Sequence, residues 1–332
     1  MSEGRGILVV GEVAGQNLSG ITKELLAAAR NLSRDLGDQE VATILMANDL
    51  GVIPQEALAA GADKVYTVEA PIFETVQPDA YLAVVEKIAR ENPPLIVLGG
   101  KDVLGQEVIP RLAFRLNTGV AQDCVGLSID SSTKKLLATR PVYGGNAVAE
   151  FLCQTIPMVA TVRARVFEAL EPDTSRQGEV IKIDAGVDES AIRTRMIERV
   201  EEKSTGLQLK DASIVIGGGR GLGGPEPFHQ LDELAGLLHA AVGASRAVCD
   251  AGWTPPHYQI GLTGKTITPE LYITVAISGA SQHMAGCSGS KNIVAINKDA
   301  EANIFKDSRY GAVGDWKKIL PAFIEQVREL VK

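Results

Sequence analysis

The stretch VATILMANDLGVIPQEALAAGADKVYTV, residues 41–68, decides the fold. It holds two near-continuous apolar runs, one at Val41–Ala47 and one at the end of Ala60–Val68, joined by a short helical segment that Pro54 opens. A proline is tolerated in a first helical turn, where its missing N–H is not needed. Strands that are apolar along their whole length are buried on both faces, which points to a parallel sheet covered by helices.

The same rhythm extends outward. Ile7–Glu12 (ILVVGE) is another apolar run, and a helical pattern follows from Ser19 to Leu36, with Leu25, Leu26, Ala29 and Leu32 at helical spacing. Asp79–Arg90 reads as a helix after Pro78, and Leu95–Gly100 as a strand. GQEVIPRLAFRLN predicts a helix interrupted near Pro110. After Cys124 the texture changes. KKLLATRPVYGGNAVAEFLCQTIPMVATVR reads as successive strands, the first two a hairpin turning at Gly144-Gly145-Asn146, which would complete the edge of the same sheet with antiparallel strands. Phe167–Lys203 is dense in charge and is expected to be a solvated surface segment.

A second unit starts near Ser204, so two domains are expected, 1–203 and 204–332. Its pattern is a strand in SIVIGGG, a helix from Phe228 to Val242, strands at Leu271–Ile277 and Asn292–Asn297, and a last helix from Trp316 to Val331. The fold class is therefore α/β with two domains. The first is a mostly parallel sheet flanked by helices, with a β-hairpin edge; the second is a smaller, Rossmann-like α/β domain.

Composition narrows the function classes. The chain has 332 residues, 45% of them hydrophobic and 22% charged, the balance of a globular protein. A net charge of −8, from 33 basic and 41 acidic residues, argues against nucleic acid or an anionic membrane as the main partner. No apolar run approaches the ~18 residues of a membrane helix. The start, MSEGRGILVVGEVAGQ, lacks a cationic region followed by a long apolar stretch, so no signal peptide is read there. Cys124, Cys153, Cys249 and Cys287 are far apart, which fits buried thiols in a reducing cytoplasm better than disulfides or zinc.

Four constellations in the second half could carry chemistry. GGGRGLGG (217–224) follows a strand, and such a loop can offer N–H groups to a diphosphate, with Arg220 adding a guanidinium. It is not a clean G-x-G-x-x-G fingerprint. VGASRAVCDAGW (242–253) places Ser245 and Arg246 between a helix end and a strand, where an ion pair to Asp250 is the plain alternative. IGLTGKTITPELYITVAISGASQHMAG (260–286) contains a polar turn at Thr263-Gly264-Lys265 and a strand leading into Ser278-Gly279-Ala280-Ser281-Gln282-His283. INKDAEANIF with RYGAVGDW puts Asn297, Lys298 and Asp315 at strand ends. Ligands of open α/β sheets bind beyond the carboxyl ends of the strands, and these polar residues gather there. A Ser-His-Asp hydrolase is disfavoured because no G-x-S-x-G elbow presents Ser245. A metal site is disfavoured because His229, His239, His257 and His283 show no H-E-x-x-H spacing; His229 and His239 read as ordinary helix residues.

Together GGGRGLGG, VGASRAVCDAGW, GLTGKTITPELYITVAISGASQHMAG, VAINKDAEANIF and YGAVGDW resemble, in order and spacing, the α subunit of electron transfer flavoprotein. The resemblance covers nearly the whole second domain. It implies an FAD-binding subunit of a heterodimer whose β subunit holds AMP, or a second FAD in electron-bifurcating members, which oxidise NADH. It implies an electron carrier rather than a classical enzyme, moving electrons from a dehydrogenase, often of the acyl-CoA type of fatty acid β-oxidation, to a quinone oxidoreductase or ferredoxin-type acceptor. Carried over by position, Arg220 and Ser245 would lie at the FAD diphosphate and Arg246 over the isoalloxazine. Thr263, with Leu262 and Gly264 beside it, would lie near flavin N5. Ser278 and the backbone of Gly279, Ala280 and Ser281 would line the phosphate and ribityl region. Gln282 would contact the cofactor, His283 would reach flavin O2, Asn297 and Asp315 would hold the adenosine end, and Lys298 would be among the cofactor-binding residues. Many family members have Gln where this chain has Leu262. A donor at O2 and a nearby cation would favour an anionic semiquinone. One hydrogen bond to a charged group contributes roughly 1.5–3 kcal/mol, on the order of 100 mV for one electron. The competing readings are a nicotinamide-dependent dehydrogenase using GGGRGLGG and a nucleotide-binding regulatory module built on the first domain.

Overall fold

The structure is a computed structural model that describes residues 4–143, 147–187, 192–194, 197, 207–209 and 212–331. The chain divides into two compact units, Met1–Pro141 with Val148–Arg199, and Val142–Ala147 with Val200–Lys332. The expected boundary near Ser204 lies outside the described residues, as does the hairpin turn at Gly144-Gly145-Asn146.

The first unit is built from β1 (Ile7–Val10), β2 (Val13–Ala14), β3 (Asn17–Leu18), α1 (Gly20–Asp35), β4 (Val41–Ala47), α2 (Ile53–Ala59), β5 (Lys64–Glu69), α3 (Pro78–Glu91), β6 (Ile96–Gly100), α4 (Val103–Arg115), β7 (Val120–Cys124), β8 (Gly126–Ile129), β9 (Leu136–Val142), β10 (Ala147–Leu152), β11 (Met158–Val162) and β12 (Glu179–Lys182). Seven strands form one sheet in the order β12-β5-β4-β1-β6-β11-β7. β4, whose pattern set the fold class, is buried at every position and pairs in parallel with β1 and β5. Ser19 caps α1 by accepting from the Thr22 N–H, and Leu25, Leu26, Ala29 and Leu32 are buried against the sheet. Two apolar clusters occupy the two faces of the sheet.

The structure departs from three of the sequence expectations. β9 and β10 do not extend the parallel sheet; they form a separate three-stranded sheet with β8. The third strand of that run, β11, instead inserts between β6 and β7, and its residues are buried throughout, whereas β10 is mostly exposed. A strand apolar on both faces gains more in the interior than at an edge. Second, the charged segment after Phe167 is not only a surface segment, because β12 adds an edge strand parallel to β5. Two of its three exposed residues, Glu179 and Lys182, are charged, as suits an edge, and Lys182 Nζ lies 2.8 Å from Glu69. Third, α4 runs unbroken through Pro110. The proline loses one helical hydrogen bond, but Ile109 and Leu112 on either side are fully buried and hold the helix on the sheet.

The second unit contains β13 (Ile214–Gly218), α5 (Phe228–Leu238), β14 (Ala241–Ser245), α6 (Arg246–Asp250), β15 (Gln259–Ile260), β16 (Leu271–Val275), α7 (Ser281–Met284), β17 (Ile293–Asn297), β18 (Tyr310–Val313) and α8 (Trp316–Leu330). Its six strands are ordered β15-β14-β13-β16-β17-β18, and every pair is parallel. In chain order this is 3-2-1-4-5-6, the doubly wound arrangement whose direction reverses between its first and fourth strands. The helix expected over Phe228–Val242 stops at Leu238, where His239 adopts a left-handed conformation (φ 49°) and closes it; it is a cap, not a helix residue. The following AVGAS is a strand. Its small residues read poorly as β, but Gly243 is required by packing: a Cβ there would lie 2.4 Å from Ile260 Cδ1. α8 begins at Trp316, where Asp315 caps it through the Lys317 N–H, and buries Leu320, Ile324 and Val327.

Candidate functional site

All the singled-out residues of the second half lie at or just beyond the carboxyl ends of its six strands. The sheet reverses between β13 and β16, so the crevice belongs between the loops that follow these two strands.

After β13 the chain makes a tight turn at Arg220–Leu222. Gly219 has no room for a side chain: a Cβ would sit 2.0 Å from the Ala276 carbonyl oxygen, so the two loops cross backbone to backbone. Trp316 Nε1 donates to the Gly221 carbonyl at 3.2 Å and ties the loop to α8. Arg220 is exposed.

After β16 the backbone turns abruptly. Ala276 takes φ 57°, a conformation disfavoured for any residue with a Cβ, and Gly279 takes φ 76°. A Cβ on Gly279 would lie 2.2 Å from Ile304 N. The strand expected to reach Ile277 therefore ends at Val275. The loop is held from behind: Ile304 N donates to the Ser278 carbonyl at 3.1 Å, and Asn297 Nδ2 to the Ile277 carbonyl at 2.8 Å. The backbone N–H groups of Ser278, Gly279, Ala280, Ser281 and Gln282 have no hydrogen-bond partner among the described residues. Unpartnered amides in a row make an anion-binding concavity.

The flanking strands supply the rest. β14 ends at Ser245 and is followed by Arg246, whose Nε lies 3.2 Å from Asp250 in an exposed ion pair. Both readings of Arg246 thus keep their geometry, although it sits between a strand and a helix rather than the reverse. Beyond β15, the Leu262 N–H donates to the Gln282 carbonyl at 2.7 Å, joining this turn to the amide loop. Leu262 is 65% exposed. Thr263 Oγ1 accepts from Gln259 Nε2 at 2.9 Å, and Gly264 stands beside it in the same exposed turn. Lys298 is exposed at the end of β17.

Three residues do other work than the sequence led us to expect. His283 is buried, with Nδ1 3.1 Å from the Ile260 carbonyl and Nε2 2.9 Å from the Tyr272 hydroxyl. Both ring nitrogens have hydrogen-bond partners inside the protein. Burial pushes its pKa down to about 4, and the ring is neutral at physiological pH. Asn297 is buried and uses both amide ends on backbone, donating to Ile277 and accepting from Asp299 N; it braces the loop. Asp315 accepts from Lys317 N as a helix cap.

Sequence reasoning missed Tyr272, the Ile260 carbonyl and Ala276. Tyr272 reads as one apolar residue in a strand, and a left-handed alanine leaves no mark in sequence. Arg220, Arg246 and Lys298 are exposed cations at the same carboxyl edge of the sheet as the bare amides. That set suits a diphosphate or another polyanion, and the glycines that a Cβ would fill give it backbone access. An FAD diphosphate fits this donor set.

Two family models match this chain. The model of the electron transfer flavoprotein domain matches residues 7–188, and that of the electron transfer flavoprotein FAD-binding domain matches residues 208–288. The second match spans both crevice loops and ends before Asn297, Lys298 and Asp315. Similar curated proteins include the electron transfer flavoprotein subunits alpha of Thermoanaerobacterium thermosaccharolyticum (40% identical, covering 99% of this chain and 100% of that one), Megasphaera elsdenii (41%, 99% and 98%) and Bacillus subtilis (42%, 98% and 98%).

Proposed function

This chain belongs to the electron transfer flavoprotein α-subunit family, and from that premise we propose that its second unit binds FAD and that the chain carries electrons as one half of a heterodimer with a β subunit. The observation that carries this reading is the row of unpartnered amides at Ser278–Gln282, set beside Arg220 at the reversal of a 3-2-1-4-5-6 sheet. FAD, when bound, supplies reversible one- and two-electron chemistry. Everything else is done by the chain. The amides and Arg220 would hold the diphosphate. Arg246, exposed and only loosely engaged by Asp250, would supply positive charge toward the ring system and favour its anionic reduced forms. Thr263 and Ser245 would add hydroxyl donors. Leu262 would present an apolar surface where a polar side chain is usual in the family.

The electrons would come from a dehydrogenase, the acyl-CoA type being the leading candidate, and pass to a quinone oxidoreductase or ferredoxin-type acceptor. The setting would be cytoplasmic; among the described residues no helix is long and apolar enough to cross a membrane. The test is direct. The chain co-produced with its β subunit should be yellow and release FAD on denaturation. One FAD per heterodimer indicates a simple shuttle and two indicate bifurcation. A colourless complex that takes up NAD instead would overturn the reading in favour of a nicotinamide-dependent dehydrogenase.

A further inference from the structure

Tyr272 stands on β16, fully buried, with its hydroxyl 2.9 Å from His283 Nε2. The other ring nitrogen faces the Ile260 carbonyl at 3.1 Å. A carbonyl can only accept, so Nδ1 carries the proton and Nε2 accepts from the tyrosine hydroxyl. The packing around the pair is tight: a Cβ on Gly217 would lie 2.3 Å from that hydroxyl, and the two rings stack with centroids 6.1 Å apart. His283 directly follows the bare amides of Ser278–Gln282. Through its two nitrogens it fastens that segment to β16 on one side and β15 on the other.

We propose that Tyr272 is a positioning residue of the cofactor site: its hydroxyl fixes the His283 tautomer and so holds the Ser278–Gln282 amides in line for the cofactor's phosphates. The inference rests on the FAD reading above. Without the hydroxyl, Nε2 becomes a buried acceptor with no partner, and the ring can turn or draw the loop out of register. Cys287, whose Sγ donates to the His283 carbonyl at 3.5 Å, is a second titratable neighbour on the same turn; it holds the backbone and leaves the ring to Tyr272.

The experiment uses the full chain assembled with its β subunit. Tyr272→Phe keeps the ring and removes only the hydroxyl. Nitrogen-15 spectra of the wild-type imidazole should show a protonated Nδ1 and a hydrogen-bonded, unprotonated Nε2. In the variant the Nε2 signal should move to that of an unbonded nitrogen, and the ring should titrate at higher pH because a bond to its neutral form is gone. The FAD dissociation constant should rise about fivefold, the scale of one neutral hydrogen bond. In a His283→Gln background the same tyrosine substitution should add little, since it acts through the imidazole. Unchanged FAD affinity in Tyr272→Phe overturns the proposal, and so does an undiminished fivefold loss in the His283→Gln background. Should the variant fail to fold, the wild-type spectrum still decides: a proton on Nε2 refutes the proposal. A wild-type complex that takes up no FAD refutes the cofactor reading itself, and is told apart because it needs no variant.

Discussion

The two parallel sheets of this chain reverse direction in the same way, and the crevices they create carry opposite chemistry. In the first unit the reversal falls between β1 and β6, and the residues just past those strands are Glu12 and Asp102. Asp102 caps α4 with Oδ1 on the Gly105 N–H, while its buried Oδ2 has no conventional donor. Burial, and then Asp102, pushes the Glu12 carboxyl well above the usual range. A Glu12 carboxyl that keeps its proton can share it with Asp102. In the second unit the same topological position holds bare amides, glycines and Arg220. Topology thus provides a crevice in both units, and side-chain chemistry decides which can take an anion. The first is lined by a carboxyl pair that shares one proton, and a phosphate there would meet its remaining negative charge.

The sharpest way to break this contrast is to fill the second crevice. Gly279→Ala would bring a Cβ against Ile304 N at a left-handed position, and we expect a loss of about 3 kcal/mol in urea unfolding together with loss of FAD retention. An unaffected variant would show that the loop does not need its left-handed turn.

Next is acid. His283 has a folded pKa near 4 against 6.5 when free, so its contribution is fully present above about 6.5 and is lost as pH falls toward 4. The loss approaches roughly 3 kcal/mol, and the acid limb of the stability curve should flatten in His283→Gln. A limb of the same slope in that variant would assign the effect elsewhere.

Arg220→Ala should weaken FAD binding by about tenfold to a hundredfold, the scale of one charge-assisted bond, with little change in melting temperature. Equal affinity would remove the guanidinium from the site.

In the first unit the sign reverses. The raised Glu12 pKa stabilises the fold below the free carboxyl range and costs stability as pH rises through neutrality. Glu12→Gln keeps a donor to Asp102 and should gain on the order of 1–2 kcal/mol at pH 8, with FAD binding untouched. A loss of FAD on that substitution would undo the division of labour between the crevices. The smallest effect belongs to the exposed Arg246–Asp250 pair: Asp250→Ala should change stability by under about 0.5 kcal/mol, while Arg246→Ala lowers the flavin's first reduction potential measured spectroelectrochemically.

Periodicity alone reached the α/β class, the spans of β4 and α8 to within a residue, and the gathering of Arg220, Arg246, Ser278 and Gln282 at strand ends. These follow from local rules: apolar runs for doubly buried strands, Pro54 and Ser19 for helix starts, glycines beyond strands. The sequence signal failed where packing outweighs local preference. The helix read through Val242 stops at Leu238, and AVGAS is a strand paired with β13, where Ile260 leaves room for nothing larger than Gly243. MVATV reads as the last strand of an edge and instead lies inside the sheet between β6 and β7, with both its faces buried.

Residue identity also places His283 behind a run of small polar residues, and nothing local says which way the ring points. Only the assembled sheet brings Tyr272 from β16 and the Ile260 carbonyl from β15 to its two nitrogens. What the sequence determined by itself is which elements form and which chemistry collects at their ends, because both depend on neighbours a few residues away. Tertiary structure decided strand order, the left-handed turn at Ala276 and whether each polar atom is spent inside the protein or left for a ligand. Those depend on partners tens of residues distant, which no local pattern encodes.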